Sequence, residues 1–258
     1  MTSAALLAEL PRWAFALMLV LARVGATVML LPGFGETEIP PMVRAGLTLA
    51  LALLLLPALL PTLPAEPATP VALLGLLAGE LLIGAWLGWL ARLAIFAFGM
   101  AGQIVAYMMG LSSVLAPDPA LGGQSTALER LFSLTGVLLV LGTGLYALPL
   151  RALAGSYTVL APGKLVAADD GLSLIATAVA DSFALALRLA APFVLVGTIW
   201  QVALGFLARL VPRLQVYFIA MPGQILGGFL LLGLTSAALL AAWHDAVEQA
   251  FTRLPGHP

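Results

Sequence analysis

Long apolar runs alternate along the chain with short segments that are rich in proline, glycine and charged residues. A helix that crosses a bilayer needs about 20 mostly apolar residues. Runs that approach or exceed this length lie at residues 13–31, 45–60, 71–91, 93–115, 131–150, 190–208 and 214–244. The pattern therefore predicts an all-α, polytopic membrane protein of hydrophobic helices and helical hairpins.

The number of crossings depends on how neighbouring runs are joined. Runs 71–91 and 93–115 meet at Arg92, and the pattern fits either a hairpin with a tight turn or one long bent helix pair. The run 214–244 is longer than one simple span and is interrupted by Pro222 and Gly223. The pattern favours six spans and leaves seven or eight open.

A single membrane domain with four segments is the expected organisation. We expect N-terminal helices over residues 1–91, a helix and a loop over residues 93–130, C-terminal helices over residues 131–244 and a short tail over residues 245–258. Isolated charges at residues 176–189 favour an amphipathic or interfacial helix there.

The composition supports the membrane assignment. Hydrophobic residues make up 62% of the chain and charged residues 9%, whereas a soluble domain has roughly 25% charged residues. The net charge of −1 gives no indication of a nucleic acid or an anionic surface as partner. The absence of cysteine excludes disulfides, thiolate metal sites and thiol catalysis. The 18 prolines and 26 glycines predict kinked and closely packed helices.

The segment at residues 101–130 contains most of the unusual features of the chain. A methionine pair, Met108–Met109, precedes Gly110, the sequence Pro117-Asp118-Pro119 and the pair Gly122–Gly123. Because proline and glycine disfavour helix interiors, we expect an irregular loop between two hydrophobic helices. Loop backbone at membrane depth is tolerated only where protein covers it or where it lines a cavity. The segment is therefore a candidate gate or plug, and an ordinary solvent loop is the alternative.

Glu80 is the most unusual single residue, because an acid inside an apolar run is costly and commonly functional. It is flanked by the pairs Gly75/Gly79 and Gly84/Gly88, whose spacing lets another helix approach closely. We interpret Glu80 as a carboxylate that pairs with an arginine or with a serine or threonine hydroxyl at a packed subunit contact. A proton or ion ligand is the alternative.

The arginines are scattered singly, so the positive-inside rule gives little information on orientation. Arg23 interrupts the first run, where we expect it either to extend to the interface or to pair with an acid such as Glu36 or Glu38. The densest basic connector, at residues 209–213, favours the cytoplasmic side for that loop.

Catalysis receives little support from the sequence. The two histidines, His244 and His257, lie far from any acidic cluster with metal-ligand spacing. The chain contains no glycine-rich phosphate loop, nucleophile elbow or HExxH motif. We therefore expect no enzyme activity, no metal and no cofactor. The rival hypothesis is a self-contained secondary transporter that uses Glu80 as its coupling carboxylate.

Four segments, taken in order, resemble the FliR family of flagellar and type III secretion export-apparatus proteins. They are residues 22–51, with an Ile-Pro-Pro-Met-Val-Arg element at 39–44; residues 79–88, with Glu80; residues 101–119, with the Asp-Pro loop; and residues 191–228, with its Pro-Gly pair. One departure is at residues 212–215, which read Pro-Arg-Leu-Gln where the family usually has Pro-Gln-Leu-Asn.

The resemblance implies a non-enzymatic subunit of an export gate in the bacterial inner membrane. Its partners would be the FliP and FliQ family membrane proteins, the FlhB family protein, membrane lipid and unfolded export substrates, in a helical hetero-oligomeric channel. The overall pattern leans towards a flagellar rather than an injectisome system, and leaves both open.

The resemblance also implies roles for particular residues. The loop at residues 106–123 would close the channel as a plug. The plug candidates are Met108, Met109, Gly110, Leu111, Pro117, Asp118, Pro119, Gly122 and Gly123. The residues assigned to assembly or packing are Glu80, Gly84, Gly88, Arg23, Arg44 and Arg209.

Overall fold

The computed structural model describes residues 3–111, 115–117, 124–163, 168–211 and 215–257 of the chain. Within these ranges the chain forms seven helices and one antiparallel hairpin of two short strands. In chain order they are α1 (Ser3–Leu30), α2 (Pro41–Leu59), α3 (Pro70–Met108), β1 (Leu115–Pro117), β2 (Gln124–Thr126), α4 (Ala127–Gly142), α5 (Ala147–Val159), α6 (Ala168–Leu210) and α7 (Val216–Thr252). The predicted all-α membrane fold is confirmed, and the hairpin is a small addition to it.

Five of the described helices are long and apolar enough to cross a membrane, namely α1, α2, α3, α6 and α7. Helices α4 and α5 meet the same standard only as a pair, and the pair is bent by 70°. The count is therefore five, or six if the bent pair is one span. The six spans favoured by the sequence correspond to the larger of these counts.

Three places that looked like breaks in the sequence are continuous helix. Helix α3 passes through Arg92 without interruption, so the runs on either side of it form one helix rather than a hairpin. Helix α6 includes residues 176–189, so the helix expected there is continuous with the apolar run that follows it. Helix α7 likewise continues through Pro222 and ends at Thr252, beyond the apolar run that predicted it.

The apolar run at residues 131–150 is not the uninterrupted span that the sequence predicted. Helix α4 ends at Gly142 and α5 begins at Ala147. Between them, Gly144 has a φ of +79°, a backbone conformation that is accessible to glycine and costly for other residues. A hydropathy pattern registers how apolar each residue is, and it carries no information about this change of direction.

The chain folds into two compact units. The first unit comprises Met1–Arg92, Val140–Thr177 and Gln249–Pro258. The second unit comprises Leu93–Leu139 and Ala178–Glu248. Each unit therefore combines segments that are distant in sequence.

The core of the first unit consists of small and branched apolar side chains on α1, α2, α3 and α5. Most of them recur at a spacing of four, which places them on one face of a helix. Its buried members are Ala16, Val20, Val24, Val28, Ala52, Leu56, Ile83, Leu87 and Leu153. These short side chains allow the helices to approach closely, which favours packing where the surroundings are apolar too.

The core of the second unit is built around aromatic rings. The ring of Phe98 lies 4.8 Å from that of Trp243 and 4.7 Å from that of Phe132, measured between centroids. The indole nitrogen of Trp243 donates to the carbonyl of Ala94 at 3.2 Å. Gly136 leaves room for the Phe98 and Trp243 rings, since a Cβ at that position would lie 3.1 Å from Trp243. The contacts join α3, α4 and α7 within this unit.

Candidate functional site

Arg23 and Glu80 form a buried ion pair in the first unit. The Arg23 Nε lies 2.6 Å from Glu80 Oε2, and Arg23 Nη2 lies 3.1 Å from Oε1. Both side chains are almost fully buried, with 0% and 1% of their surfaces exposed. The geometry is bidentate, which is the strongest arrangement available to an arginine and a carboxylate. Glu80 thus pairs with an arginine, and the pair lies within one chain rather than at the expected contact between subunits.

Further hydrogen bonds connect the buried ion pair to the end of α5. Arg23 Nη1 donates to Ser156 Oγ at 3.2 Å, and Arg23 Nη2 donates to the Leu160 carbonyl at 3.0 Å. The Gly163 amide donates to Glu80 Oε1 at 3.3 Å. The Arg23 guanidinium also lies 4.1 Å from the centre of the Tyr157 ring, which is a cation–π contact. The pair thus holds α1, α3 and the segment that follows α5 in one arrangement.

Arg23 pairs with an acid, as expected, and that acid is Glu80 rather than Glu36 or Glu38. Glu36 instead accepts a hydrogen bond from Arg92 at 3.1 Å, and Arg92 also donates to the Leu30 carbonyl at 3.3 Å. That second pair is partly exposed, with 15% and 18% of its two side chains accessible. Proximity in sequence favoured Glu36 and Glu38, whereas the packing of α3 on α1 brings Glu80 to Arg23.

Helix α3 packs closely against α1 at Gly84 and Gly88. A Cβ on Gly84 would collide with the Arg23 carbonyl, and a Cβ on Gly88 would lie 2.8 Å from the Thr27 carbonyl. The Thr27 hydroxyl donates to the Gly84 carbonyl at 3.1 Å. The glycine spacing on α3 therefore matches the spacing of Arg23 and Thr27 on α1, so the close approach lies within this chain.

The remaining arginines assigned to assembly or packing, Arg44 and Arg209, lie away from the buried ion pair. Arg44 Nη1 lies 3.8 Å from the Met29 sulfur. Arg209 is exposed in the last turn of α6, where a cation interacts favourably with the helix dipole. The structure therefore brings Arg23, Glu80, Gly84 and Gly88 together and leaves Arg44 and Arg209 separate.

In the second unit, α3 ends at a glycine turn. Gly110 has a φ of +77°. Its amide donates to the Tyr107 carbonyl at 3.1 Å, and the Leu111 amide donates to the Ala106 carbonyl at 2.9 Å. These two bonds form a Schellman motif, the usual way in which a glycine terminates a helix. The helix predicted by the run 93–115 therefore stops at the methionine pair.

The methionine pair packs against glycines of α6 and α7. Met109 is buried, and a Cβ on Gly228 would collide with its side chain. A Cβ on Gly197 would lie 3.0 Å from the Met108 sulfur. The Gln224 side-chain amide donates to the Met108 carbonyl at 2.8 Å. We refer to Met108, Met109, Gly110 and Gln224 together as the α3 end.

The segment that follows the α3 end returns to the second unit at Thr126. Thr126 donates to Gln103 Oε1 through its hydroxyl at 2.8 Å and through its amide at 3.3 Å. The Thr126 hydroxyl also accepts the Glu129 amide at 3.2 Å, so it caps the start of α4. Sequence reasoning missed Gln224 and Thr126, because each acts through a contact with a residue that is distant in sequence.

Several plug candidates are only partly described, or not described, by the structure. Pro117 lies in β1, paired with Gln124 of β2. Asp118, Pro119, Gly122 and Gly123 lie outside the described residues. Met108, Met109, Gly110 and Leu111 are all described and belong to the end of α3 and the turn beyond it.

Within the described ranges, no group of three or more histidine, aspartate or glutamate side chains is placed to hold a metal ion. The buried carboxylate of Glu80 is engaged by Arg23 and the Gly163 amide. The polar groups at both sites thus serve to hold backbone and side chains in place.

Comparison with known proteins gives a consistent result. Residues 14–250 match the model of the family described as bacterial export proteins, family 1. The chain is 34% identical over 231 residues to the flagellar biosynthetic protein FliR of Caulobacter vibrioides, covering 90% of this chain and 92% of that protein. It is 28% identical over 236 residues to FliR of Escherichia coli K12, covering 91% and 87% of the two chains.

Similarity extends to a type III secretion protein. The secretion system apparatus protein SsaT of Salmonella typhimurium is 27% identical over 150 residues, which is 58% of each chain. The family match spans nearly the whole sequence, and the resemblance drawn from the four sequence segments is confirmed. The chain belongs to the FliR family of bacterial export proteins, whose members are components of flagellar and type III secretion export apparatus.

Proposed function

We propose that this chain is a non-enzymatic core subunit of the export gate in the bacterial inner membrane, and that residues 108–123 plug its channel. The observation that carries the proposal is the double attachment of this segment. Gln224 holds the Met108 carbonyl at its start, and Gln103 holds Thr126 just after its end. A plug must stay attached beside its channel, and a hydrogen bond at each end of the segment provides such an attachment.

The nature of the anchoring residues supports a compliant seal. Methionine side chains are flexible and polarizable, so they adapt to the shape of whatever contacts them. Met108 and Met109 lie against glycines rather than bulky side chains. The proline and glycine residues in the sequence of the segment beyond disfavour a continuous helix.

Apolar surface on α7 supports assembly with sister membrane proteins. Leu226, Leu230 and Leu234 recur every four residues and are 70%, 67% and 75% exposed. Such a stripe must face either lipid or another apolar helix. Under the proposal, proteins of the FliP and FliQ families cover part of this surface, the FlhB family protein contacts the same assembly, and unfolded substrates pass through the channel.

The transporter alternative requires a coupling carboxylate that can gain and lose a proton or an ion. Glu80 is the acid inside an apolar run, and both of its oxygens are engaged in the buried ion pair. This geometry favours a structural role for Glu80, and with it the export-gate function.

The decisive experiment for the plug is removal of residues 112–123. We expect the deletion to raise the ion conductance of the membrane while the subunit still co-purifies with the FliP and FliQ family proteins. Replacement of the same residues by a glycine–serine sequence of equal length is the control for chain connectivity, and it should leak as well. An assembled complex whose conductance equals that of the wild type contradicts the plug role.

Native mass spectrometry tests the assembly. The chain is purified in mild detergent with and without co-expressed FliP and FliQ family proteins. A defined hetero-oligomer, together with poor recovery of the chain alone, supports the proposal. A stable monomer or homodimer that ignores those proteins contradicts it, and loss of solute uptake in Glu80→Gln would then favour the transporter.

A further inference from the structure

The residues that follow α7 fold back onto α5 within the first unit. Phe251, in the last turn of α7, is fully buried, and Leu254 is 7% exposed. The Leu254 amide donates to the Phe251 carbonyl at 3.3 Å, and the His257 amide donates to the Leu254 carbonyl at 3.0 Å. We refer to residues 253–257 as the C-terminal turn. Two buried apolar side chains and two backbone hydrogen bonds thus give this turn a defined conformation.

The C-terminal turn meets α5 backbone to backbone, at Gly155 and Gly256. A Cβ on Gly155 would collide with the Gly256 carbonyl. A Cβ on Gly256 would collide with the Ser156 amide nitrogen and with the Ala152 carbonyl. Gly256 also has a φ of +92°, a conformation that is accessible to glycine and costly for other residues. Each glycine is therefore required by the backbone of the other, although the two are distant in sequence.

The part of α5 that the C-terminal turn contacts also supplies acceptors to the buried ion pair. Ser156 Oγ accepts from Arg23 Nη1 at 3.2 Å, and the Leu160 carbonyl accepts from Arg23 Nη2 at 3.0 Å. The ring of Tyr157 lies 4.1 Å below the same guanidinium. The backbone of Ser156 is thus contacted by Gly256 while its side chain contacts Arg23. A shift of this turn of α5 must move the groups that accept from Arg23.

This arrangement links the end of the chain to the buried ion pair. We infer that the C-terminal turn is a latch, whose docking on Gly155 holds the end of α5 where Ser156 and Leu160 can accept from Arg23. Release of the turn frees the end of α5, so that Arg23 keeps Glu80 but loses these two acceptors. The hydrogen bonds of a buried network depend on one another, so the remaining pair then opens more often. The inference depends neither on the plug nor on assembly with other chains.

The alternative is that the C-terminal turn only fills space beside α5. The buried ion pair would then position α5 by itself, and displacement of the turn would leave the hydrogen bonds of Arg23 unchanged. The latch and the space-filling turn therefore differ in two measurable properties. One is the effect of a side chain at Gly155 with and without the turn, and the other is the exchange of the Arg23 Nε–H with water.

The first test places Gly155→Ala in the full-length chain and in a chain that lacks residues 253–258. The three atoms nearest to the added Cβ all belong to Gly256, so the substitution should lower the melting temperature of the full-length chain in detergent. In the shortened chain that obstacle is gone, and the higher helix propensity of alanine should leave the melting temperature unchanged or raise it. A decrease of equal size in both chains overturns the inference.

The second test compares Gly256→Ala with Gly144→Ala. Both glycines lie in the first unit and have a positive φ, so alanine strains the backbone at both positions, but a Cβ on Gly144 meets nothing within 4 Å. NMR with isotope-labelled arginine measures the exchange of the Arg23 Nε–H, which donates to Glu80 at 2.6 Å. We expect Gly256→Ala to speed this exchange roughly 2- to 10-fold, the effect of one hydrogen bond, and Gly144→Ala to leave it unchanged.

A double variant shows whether the latch acts through α5. Ser156→Ala removes one acceptor of Arg23 directly and should also speed the exchange of its Nε–H. Because both changes act on the same contact, Gly256→Ala combined with Ser156→Ala should speed exchange by well under the product of the two single effects. Effects that multiply in full would mean that the turn and Ser156 act separately, and they overturn the inference.

Circular dichroism confirms that each variant keeps its helices. If Gly256→Ala does not fold, the chain that lacks residues 253–258 replaces it, and the exchange of the Arg23 Nε–H should rise in that chain as well. Exchange at the wild-type rate in a folded variant without a docked turn overturns the inference. Faster exchange in Gly144→Ala than in Gly256→Ala overturns it too, because backbone strain alone would then explain the effect.

Discussion

The buried ion pair and the α3 end hold backbone in place by opposite means. Arg23 and Glu80 are joined by two hydrogen bonds to each other and by three more to Ser156, Leu160 and Gly163. At the α3 end, one hydrogen bond from Gln224 crosses to Met108, and a cavity lies beside it. The buried ion pair has five mutually dependent hydrogen bonds. The α3 end has one hydrogen bond from Gln224 and a cavity beside its methionine side chains.

One membrane chain can therefore contain both a firmly held region and a weakly held one. Removing one member of a buried polar network costs much stability. The remaining partner is still excluded from water, and it has lost the hydrogen bond that compensated for this. Apolar contacts of methionine with glycine are weak one by one and change gradually as the side chain moves. We therefore expect mutations at the two sites to differ in size and in the property that they change.

The largest effect is expected from Glu80→Gln, which leaves the buried Arg23 charge without its counter-ion. Loss of one partner from a buried pair costs about 3–5 kcal/mol of the free energy of unfolding. The matched control is Glu36→Gln, whose pair with Arg92 is partly exposed and is expected to contribute at most about 1 kcal/mol. Thermal unfolding in detergent measures both.

A joint replacement of the buried ion pair refines this prediction. Arg23→Met combined with Glu80→Leu removes both charges, and buried pairs replaced by apolar side chains commonly lose little stability. We expect the double variant to be more stable than Glu80→Gln alone. Equal destabilisation by Glu80→Gln and Glu36→Gln would contradict the contrast between the firmly held and the weakly held region.

An intermediate effect is expected from Gly84→Ala. The added Cβ meets the Arg23 carbonyl, so α1 and α3 must separate, at a cost of about 1–3 kcal/mol. Gly75→Ala, on the same helix, meets nothing within 4 Å and should gain up to about 1 kcal/mol from the higher helix propensity of alanine. The two substitutions should thus shift the melting temperature in opposite directions, and a shared direction would contradict the close contact.

The smallest effect on stability is expected from Gln224→Met, which removes the hydrogen bond to the Met108 carbonyl. One such bond contributes about 0.5–1.5 kcal/mol. Its loss should speed hydrogen exchange at the amides of residues 109–111 by roughly 2- to 10-fold, with little change in overall melting. Gln201→Met, at an exposed position on α6, is the control and should leave these amides unchanged. Unaltered exchange in Gln224→Met would show that the bond does not hold the α3 end.

The sequence identified the unusual residues more successfully than it identified their partners. Glu80 was recognisable because an acid in an apolar run is rare, and Gly84 and Gly88 because their spacing permits close helix packing. That Arg23 is the partner depends on how α3 is rotated against α1, which hydropathy does not encode. Ser156 and Leu160 join the pair only because the α4–α5 bend and the end of α5 bring them there.

Helix boundaries show the same limit. Gly110 ends α3, as expected of glycine, and Gly144 lies where the run at residues 131–150 bends. The positive φ of these two glycines could not be read from the sequence. Pro222 looked like a break and lies within a continuous helix, because neighbouring groups in a membrane helix can compensate for the lost hydrogen bond. Local composition thus marked where breaks were possible, and tertiary packing decided which of them occurred.

The buried ion pair also has a consequence for how the chain is made. Arg23 precedes Glu80 by 57 residues, so at about 5–20 residues per second its counter-ion is synthesised roughly 3–11 s later. During that interval α1 carries an uncompensated arginine, whose transfer to the centre of a membrane helix costs about 2.5–3.5 kcal/mol. The apolar residues of α1 around Arg23 offset this free-energy cost of insertion. The ion pair with Glu80 then holds α1 against α3. We therefore expect α1 to pack against α3 only after Glu80 has been synthesised.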